Sequence, residues 1–272
     1  MRRLPVAAFI LTSCVRGAQP APTAAPAPVH PAAVRYQPSS MAYQTVQHRH
    51  VEQIFQGQPL TTDLATRVAL TITLAGDTGL AATFVIDSIA LEGGPVFPTE
   101  DVARARGARF DATLVPGGRL TGLRGADSAN PVLQQIAFLL QDFFPGTPRA
   151  GVIAGARWTD TTDAQGLSGG ADIHVRTINT RSTPAWTTFG AVQALEILTD
   201  ATIEISGSGA QAGQAFTVAG TGRGHGRHYL SADGRLMGGS RADTVRMEVN
   251  LSSVGITIPV TQWTTDTLRV VS

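Results

Sequence analysis

The stretch RVALTITLAGDTGLAATFVIDSIAL (67–91) constrains the fold of this chain more than any other. Residues 67–74 and 81–91 alternate apolar and polar side chains and are rich in β-branched residues. A period of two puts alternate side chains on opposite faces of a strand, whereas a helix gathers its apolar residues at a period of 3.6. Between the two runs lies Ala75-Gly76-Asp77-Thr78-Gly79, a turn cluster. The segment therefore reads as a β-hairpin with one buried face. Similar runs recur at 43–55, 109–115, 170–179, 201–208, 214–222, 244–252 and 256–263. The segment 187–200 fits either period and is assigned to strand because β-branched residues continue after it. A chain of this kind needs many turns, and 29 glycines and 16 prolines in 272 residues meet that need. The fold class expected is mainly β with a minority of helix.

Helix signals are few. The clearest is NPVLQQIAFLLQDFFPG (130–146), with Asn130 as N-cap, Pro131 at the first helical position and Pro145-Gly146 as the stop. Val132, Leu133, Ile136, Leu139, Leu140 and Phe143 form one apolar stripe at helical spacing, giving an amphipathic helix over about 130–143. Thr99 to Arg106 is a lesser candidate, with Glu100 and Asp101 in its first turn and Gly107 after it.

One internal repeat is visible. GRLTGLRGADS (118–128) recurs as GRLMGGSRADT (234–244), identical at six of eleven positions, and each copy follows a turn. This organisation predicts two antiparallel β-meander repeats, 34–128 and 149–272, joined by the helix and its connection, 129–148. They would form curved sheets or a half-barrel, with the helix stripe packed on a concave face, because so large a stripe is unstable in water.

The N-terminus carries a separate message. Met1-Arg2-Arg3 is positive and Leu4 to Leu11 is apolar. Eight helical residues reach roughly 12 Å, far short of a hydrocarbon core of about 30 Å. These are the dimensions of a signal-peptide core. Leu11-Thr12-Ser13-Cys14 follows, holding the single cysteine of the chain. This stretch resembles the bacterial lipobox, an aliphatic residue and two small ones before a cysteine. The resemblance implies that 1–13 are removed and that Cys14 becomes an acylated N-terminal residue. Two or three acyl chains anchor a protein stably where one does not. An ordinary secretory cut after Ala18 is the alternative, but Arg16 stands at its −3 position. The tether, 14–33, contains QPAPTAAPAPVHPAA (19–33), a polyproline-II spacer reaching roughly 45 Å. No acidic residue follows Cys14, since Val15 stands there, which under the familiar sorting rule of lipoproteins points to the inner leaflet of an outer membrane, facing the periplasm.

Composition excludes some partners. The formal net charge is +1, and all 21 basic residues are arginines scattered among acids. No basic stripe is present to neutralise a phosphate backbone, so nucleic acid is not expected. A single cysteine forms no internal disulfide and no cysteine zinc site.

Catalytic constellations are not evident. Asp77-Thr78-Gly79 spells an aspartic-protease triplet, but the reaction needs a second carboxylate and no second such loop exists. LSGGAD (167–172) precedes a strand, not the helix a nucleophile elbow requires. His48 and His50 share a strand face, His225 and His228 fall on opposite faces of a regular strand, and His174 stands alone. They read as solvent-facing, with no metal site and no cofactor expected. GTGRGHG (220–226) has glycine at alternate positions but opens no helix, so it reads as flat strand with close backbone approach. Trp158, Trp186 and Trp263 read as core anchors, with a ligand cavity as the sharper alternative for them.

The order lipobox, Pro/Ala linker, meander ending in PGGRL, helix, Phe143-Phe144-Pro145, Gly155-x-x-Trp158 and second meander resembles uncharacterised β-rich bacterial envelope lipoproteins. That family implies location and architecture and lends no activity. The chain is also similar to periplasmic lipoprotein-carrier folds, in which a curved sheet wraps an acyl chain around a helix plug, though it has fewer helices than they do. The function expected is therefore a lipid-anchored, non-enzymatic envelope protein whose β domain binds an apolar small molecule or an envelope partner. Leu133, Ile136, Leu140, Phe143 and Trp158 are the candidate cavity residues. A structural or assembly scaffold of the envelope, and a hydrolase whose site assembles only in three dimensions, are the alternatives.

Overall fold

Alternation along the chain produces twelve strands. They are β1 (Ser39–Phe55), β2 (Gln58–Ala75), β3 (Leu80–Gly93), β4 (Arg109–Val115), β5 (Arg119–Arg124), β6 (Arg157–Ser168), β7 (Ala171–Ser182), β8 (Trp186–Phe189), β9 (Val192–Gln211), β10 (Gln214–Ser231), β11 (Leu236–Leu251) and β12 (Ile256–Val271). Helix α1 (Thr99–Ala105) follows β3, and α2 (Pro131–Leu140) follows β5. The structure, a computed structural model, describes residues 30–271 apart from 78, 94–96, 126, 128, 169–170 and 212. The lipobox residues Leu11, Thr12, Ser13 and Cys14 lie outside them, as does most of the tether. Residues 31–272 form one compact unit. Among the described residues no helix is long and apolar enough to cross a membrane.

Every strand pairing is antiparallel, and the strands form one curled sheet in the order β5-β4-β3-β2-β1-β12-β11-β10-β9-β7-β6, with β8 pairing β9. The two meanders are thus halves of a single half-barrel. They join at its centre, where β1 pairs β12 from Ala42↔Val271 to Gln53↔Val260. The chain starts mid-sheet, walks outward to the β5 edge, crosses through α2 to the β6 edge, and walks back.

The repeated GRL segments occupy the same kind of turn. Gly118 N–H donates to Val115 O at 3.0 Å and Gly234 N–H to Ser231 O at 2.9 Å. Both glycines sit at positive φ, +79° and +80°. This is a three-residue hairpin closed by a left-handed residue, where a side chain is strained. Beyond the turn the copies diverge: β5 is a six-residue edge strand and β11 a sixteen-residue central one.

One strip of the sheet, on β10, is bare of side chains. Gly220, Gly222, Gly224 and Gly226 share its concave face, the alternate-glycine run seen in the sequence. A Cβ at any of them would collide with β11, meeting Arg246 O and Met247 at the first, Thr244 O and Val245 at the second, and the Asp243 carboxylate at the third. The bare strip lets β11 side chains lean across β10, a close approach that only glycine permits.

The main core fills one half of the concavity. Val68, Leu70 and Ile72 on β2, Phe84 and Ile86 on β3, and Phe110 and Leu114 on β4 pack with Val132, Leu133, Ile136 and Leu140 of α2. The helix is seated by Asn130, whose Oδ1 accepts from Val132 N–H (3.0 Å) and Leu133 N–H (3.2 Å). Its Nδ2 donates to Asp101 O at 3.0 Å, tying α2 to α1. The helix ends at Leu140, so Phe143 lies in the turn beyond it, edge-on to Tyr43. The end of the barrel beneath is closed by the connection. Tyr36 OH donates to Pro145 O (2.8 Å), Trp158 Nε1–H to Gly146 O (3.2 Å), and Val34 exchanges backbone hydrogen bonds with Val152.

Candidate functional site

Helix α2 divides the concavity. Its most apolar face goes into the core, and its other side looks onto an open cavity of about 300 Å³. Phe138, Leu139, Asp142 and Phe143 form the roof, and the concave faces of β1, β6, β7 and β9–β12 form the floor. Gln141, just past the helix, clamps the free edge of β6. Its Nε2 donates to Gln165 O (3.0 Å) and its Oε1 accepts from Gln165 N–H (3.2 Å), which satisfies edge groups that have no strand partner.

Of the five residues expected at a cavity, Phe143 lines this one. Leu133, Ile136 and Leu140 are buried in the core against β2–β4 instead. Trp158 packs beside Val34, Val152, Leu195, Ile197 and Leu230. The physical reason is that a stripe marks the most hydrophobic face of a helix, and that face is driven to the tightest packing available. The cavity falls to the face left over.

Strand register sorts the floor into layers. Nearest the tips of the β6–β7 and β9–β10 hairpins lie Ala164, Val175 and Ile205, then Ile203 and Val245. Next come Asp243, Thr264 and Arg49, which pair across β11, β12 and β1. Below them Gln47, Asp266, Arg241, Thr199 and Arg181 form one row. Deepest is the row of Thr45, Leu268, Gly239 and His228, beside Phe143 and Pro145. Eight residues separate Ile205 from the His228 level on β9, roughly 26 Å at the rise of a strand. The charged rows cross the middle of the trough, with the Ile203–Ile205 layers on one side and the uncharged Thr45–Leu268–His228 row on the other.

The charged rows are organised. Arg241 is shared between Asp142 (Nη1 to Oδ2, 3.0 Å) and Asp243 (Nε to Oδ2, 2.8 Å). Arg181, 2% exposed, pairs with Asp160 (Nε to Oδ2, 2.7 Å) and donates to Thr199 Oγ1 at 2.9 Å. Gln47 Nε2 donates to Asp266 Oδ1 (2.8 Å), and its Oε1 accepts from Arg49 Nη2 at 3.1 Å. Burial pushes the carboxyls of Asp142 and Asp266 up, tempered by Arg241 at the first and by the Gln47 hydrogen bond at the second. His228 is pushed down to about 3 by burial and by the nearby Arg181 and Arg241 guanidiniums, so it is neutral. Two nitrogens in this cluster are shut off from water without a hydrogen-bond partner among the described residues, Arg49 Nε and His228 Nδ1. Buried polar atoms are satisfied as a rule, and a site waiting for a ligand is one reason for an exception.

His228 departs from the expectation of solvent-facing histidines, because even-numbered residues of β10 face the concave side. His225 is exposed on the opposite face. His50 and His174 lie on the outside, bonded to Asp63 (2.7 Å) and Asp163 (3.3 Å). Trp186 packs on the second cluster, but Trp263 is 39% exposed on the outer face against His50 and anchors no core. Among the described residues no group of three His, Cys, Asp or Glu side chains is placed to hold a metal ion. Arg49, Arg181, Arg241, Asp142, Asp243 and Asp266 went unnoticed in the sequence. For the five on strands the one signal was a charged residue on the inward-facing register; Asp142, in the turn after α2, carried none.

No family model matches the chain, and no curated protein matches it. Among solved structures it is similar to Pseudomonas aeruginosa OccK2 (OpdF) in complex with glucuronate, at 9% identity over 86% of this chain and 98% of that one, with a TM-score of 0.26. It is similar to OmpT, an outer membrane protein of Vibrio cholerae, at 8% identity over 86% and 99%, with a TM-score of 0.21. A DUF1329 family protein from Desulfovibrio piger matches at 10% identity over 84% and 85%, with a TM-score of 0.16. These are distant likenesses to other β proteins, and at such TM-scores they carry no argument about function.

Proposed function

We propose that this chain is a lipid-anchored, non-enzymatic protein of a bacterial cell envelope, whose half-barrel holds one amphiphilic small molecule between α2 and the concave sheet. The observation that carries the reading is the cavity itself: about 300 Å³, lined by apolar side chains, crossed by a band of charged ones, and roofed by a single helix. Binding pockets combine mostly apolar walls with a few placed polar groups, and this volume sits at the small end of their range. It suits one chain, not a lipid with several acyl groups. Cys14 would be the anchor and 14–33 the tether, placing the domain tens of ångströms above the membrane surface.

The test is mass spectrometry of a solvent extract from the full chain, purified from the envelope and freed of bulk lipid. A near-stoichiometric amphiphile, recovered reproducibly and lost when Leu139→Trp fills the roof, is the expected result. An empty protein whose partners crosslink to the barrel would sink the ligand reading and favour a scaffold. The same spectrum reports the N-terminal peptide: an acylated cysteine is expected, and a free peptide beginning at Gln19 would overturn the anchor.

A further inference from the structure

We infer that the charged band of the cavity binds a monoanionic carboxylate head, received by Arg49, so that the occupant is a single-chain carboxylic acid. This rests on the reading of the cavity as an amphiphile site. Three arginines line it. Arg241 is engaged by two carboxylates and Arg181 by Asp160 and Thr199. Arg49 alone of the three has no carboxylate within ion-pair distance among the described residues. It donates once, to the Gln47 amide, and its Nε–H has no acceptor while shut off from water.

A buried guanidinium without a carboxylate partner is costly, and a planar acceptor that meets Arg49 where it lines the cavity relieves part of that cost through charge-assisted hydrogen bonds. Arg49 stands in the row just above the densest charge, with Thr264 and Asp243 beside it in register. Val245, Ile203 and Ile205 line the layers from there towards the β9–β10 turn, with Gln262, Thr177 and Thr162 among them and Phe138 and Leu139 above. A head at Arg49 therefore leaves its tail along these layers. The neighbouring carboxylates narrow the choice of head. Arg241 is shared by Asp142 and Asp243, and Asp266 is held by the neutral Gln47, so every negative charge on a head at Arg49 also meets repulsion, and the smallest charge that still fills Arg49 is favoured. A dianionic phosphate would meet stronger repulsion at these distances. A cationic head would leave Arg49 without a carboxylate partner and face the guanidinium itself.

The experiment uses the full chain carrying Cys14→Ser, so that no covalent acyl chain competes. Binding of dodecanoate, dodecanol and dodecyl phosphate is measured by titration calorimetry at neutral pH. Dodecanoate is expected to bind at least ten-fold tighter than the alcohol, the range of a charge-assisted hydrogen bond in a buried site. In Arg49→Met, which keeps the volume, that preference should fall to about one while dodecanol binding is retained. Equal binding of acid and alcohol to the parent chain overturns the inference without recourse to any variant, as does a preference that survives Arg49→Met or favours the phosphate. Failure of all three amphiphiles to bind overturns the cavity reading beneath it.

Discussion

Asn130 is the hinge pin of the helix that roofs the cavity, and its replacement by alanine has a size that can be worked out. The side chain is 1% exposed and makes three hydrogen bonds. Losing the two to Val132 and Leu133 N–H removes an N-cap, about 1 kcal/mol. Losing the one to Asp101 O leaves a buried carbonyl without its donor, about 1–1.5 kcal/mol more. Asn130→Ala should therefore cost about 2–3 kcal/mol, which is a fall in Tm of about 5–10 °C for a domain of this size. Asn130→Ser separates the two effects. It keeps a capping acceptor for the helix N–H groups and loses the donor to Asp101 without adding a buried charge. Its cost should be about half. Urea denaturation followed by tryptophan fluorescence gives both numbers, with an unchanged m-value expected. A loss below about 0.5 kcal/mol for alanine, or equal losses for the two variants, would show that the cap and the α1–α2 tie do not seat the helix as argued.

Further outcomes are expected. Arg181→Met leaves the Asp160 carboxylate without its partner and should destabilise by about 3 kcal/mol in chemical denaturation, whereas pairing it with Asp160→Leu should restore much of that loss. His228 is held neutral in the fold and protonates when unfolded, so the unfolded state binds the extra proton below pH 6.5. Stability should thus fall with pH by about 1.4 kcal/mol per unit from pH 6 towards the folded value of about 3; His228→Gln should flatten that slope in a pH series of melts. Gly224→Val places its side chain on the Asp243 carboxylate and should cost about 1–3 kcal/mol while breaking the Asp243–Arg241 pair. Gln141→Leu unclamps the β6 edge without touching the core; hydrogen exchange at Gln165 should rise well above that of Val175 in the neighbouring strand.

Much of the fold was legible because strand and helix periods write themselves into runs such as 67–91 and 130–140. The edge strands were not. RWTDTTDAQGLS, now β6, carries Trp158, Asp160, Thr162, Ala164 and Gly166 on its concave side, a face that borders charge and cavity, so no apolar alternation marks it. The second half of β12, TTDTLRVV, was hidden for the same reason, since its concave residues include Thr264 and Asp266. The cavity was illegible in principle. Residues such as Arg49, Arg241 and Asp142 are far apart in sequence, and only the closure of the sheet brings them to one wall. The alternate glycines of 220–226 were noticed, but their consequence, the lean of β11 side chains across β10, depends on a neighbour that sequence does not name.

The pairing of β1 with β12 has a consequence in time. Strand β1 finds its central neighbour only in β12, some two hundred residues later, so one long seam stays open until β12 has been made. Contacts of that separation are slow to form, because a large loop must close before they reward it. A nascent chain can build the β1–β2–β3 hairpins early, yet the two halves of the sheet stay unjoined.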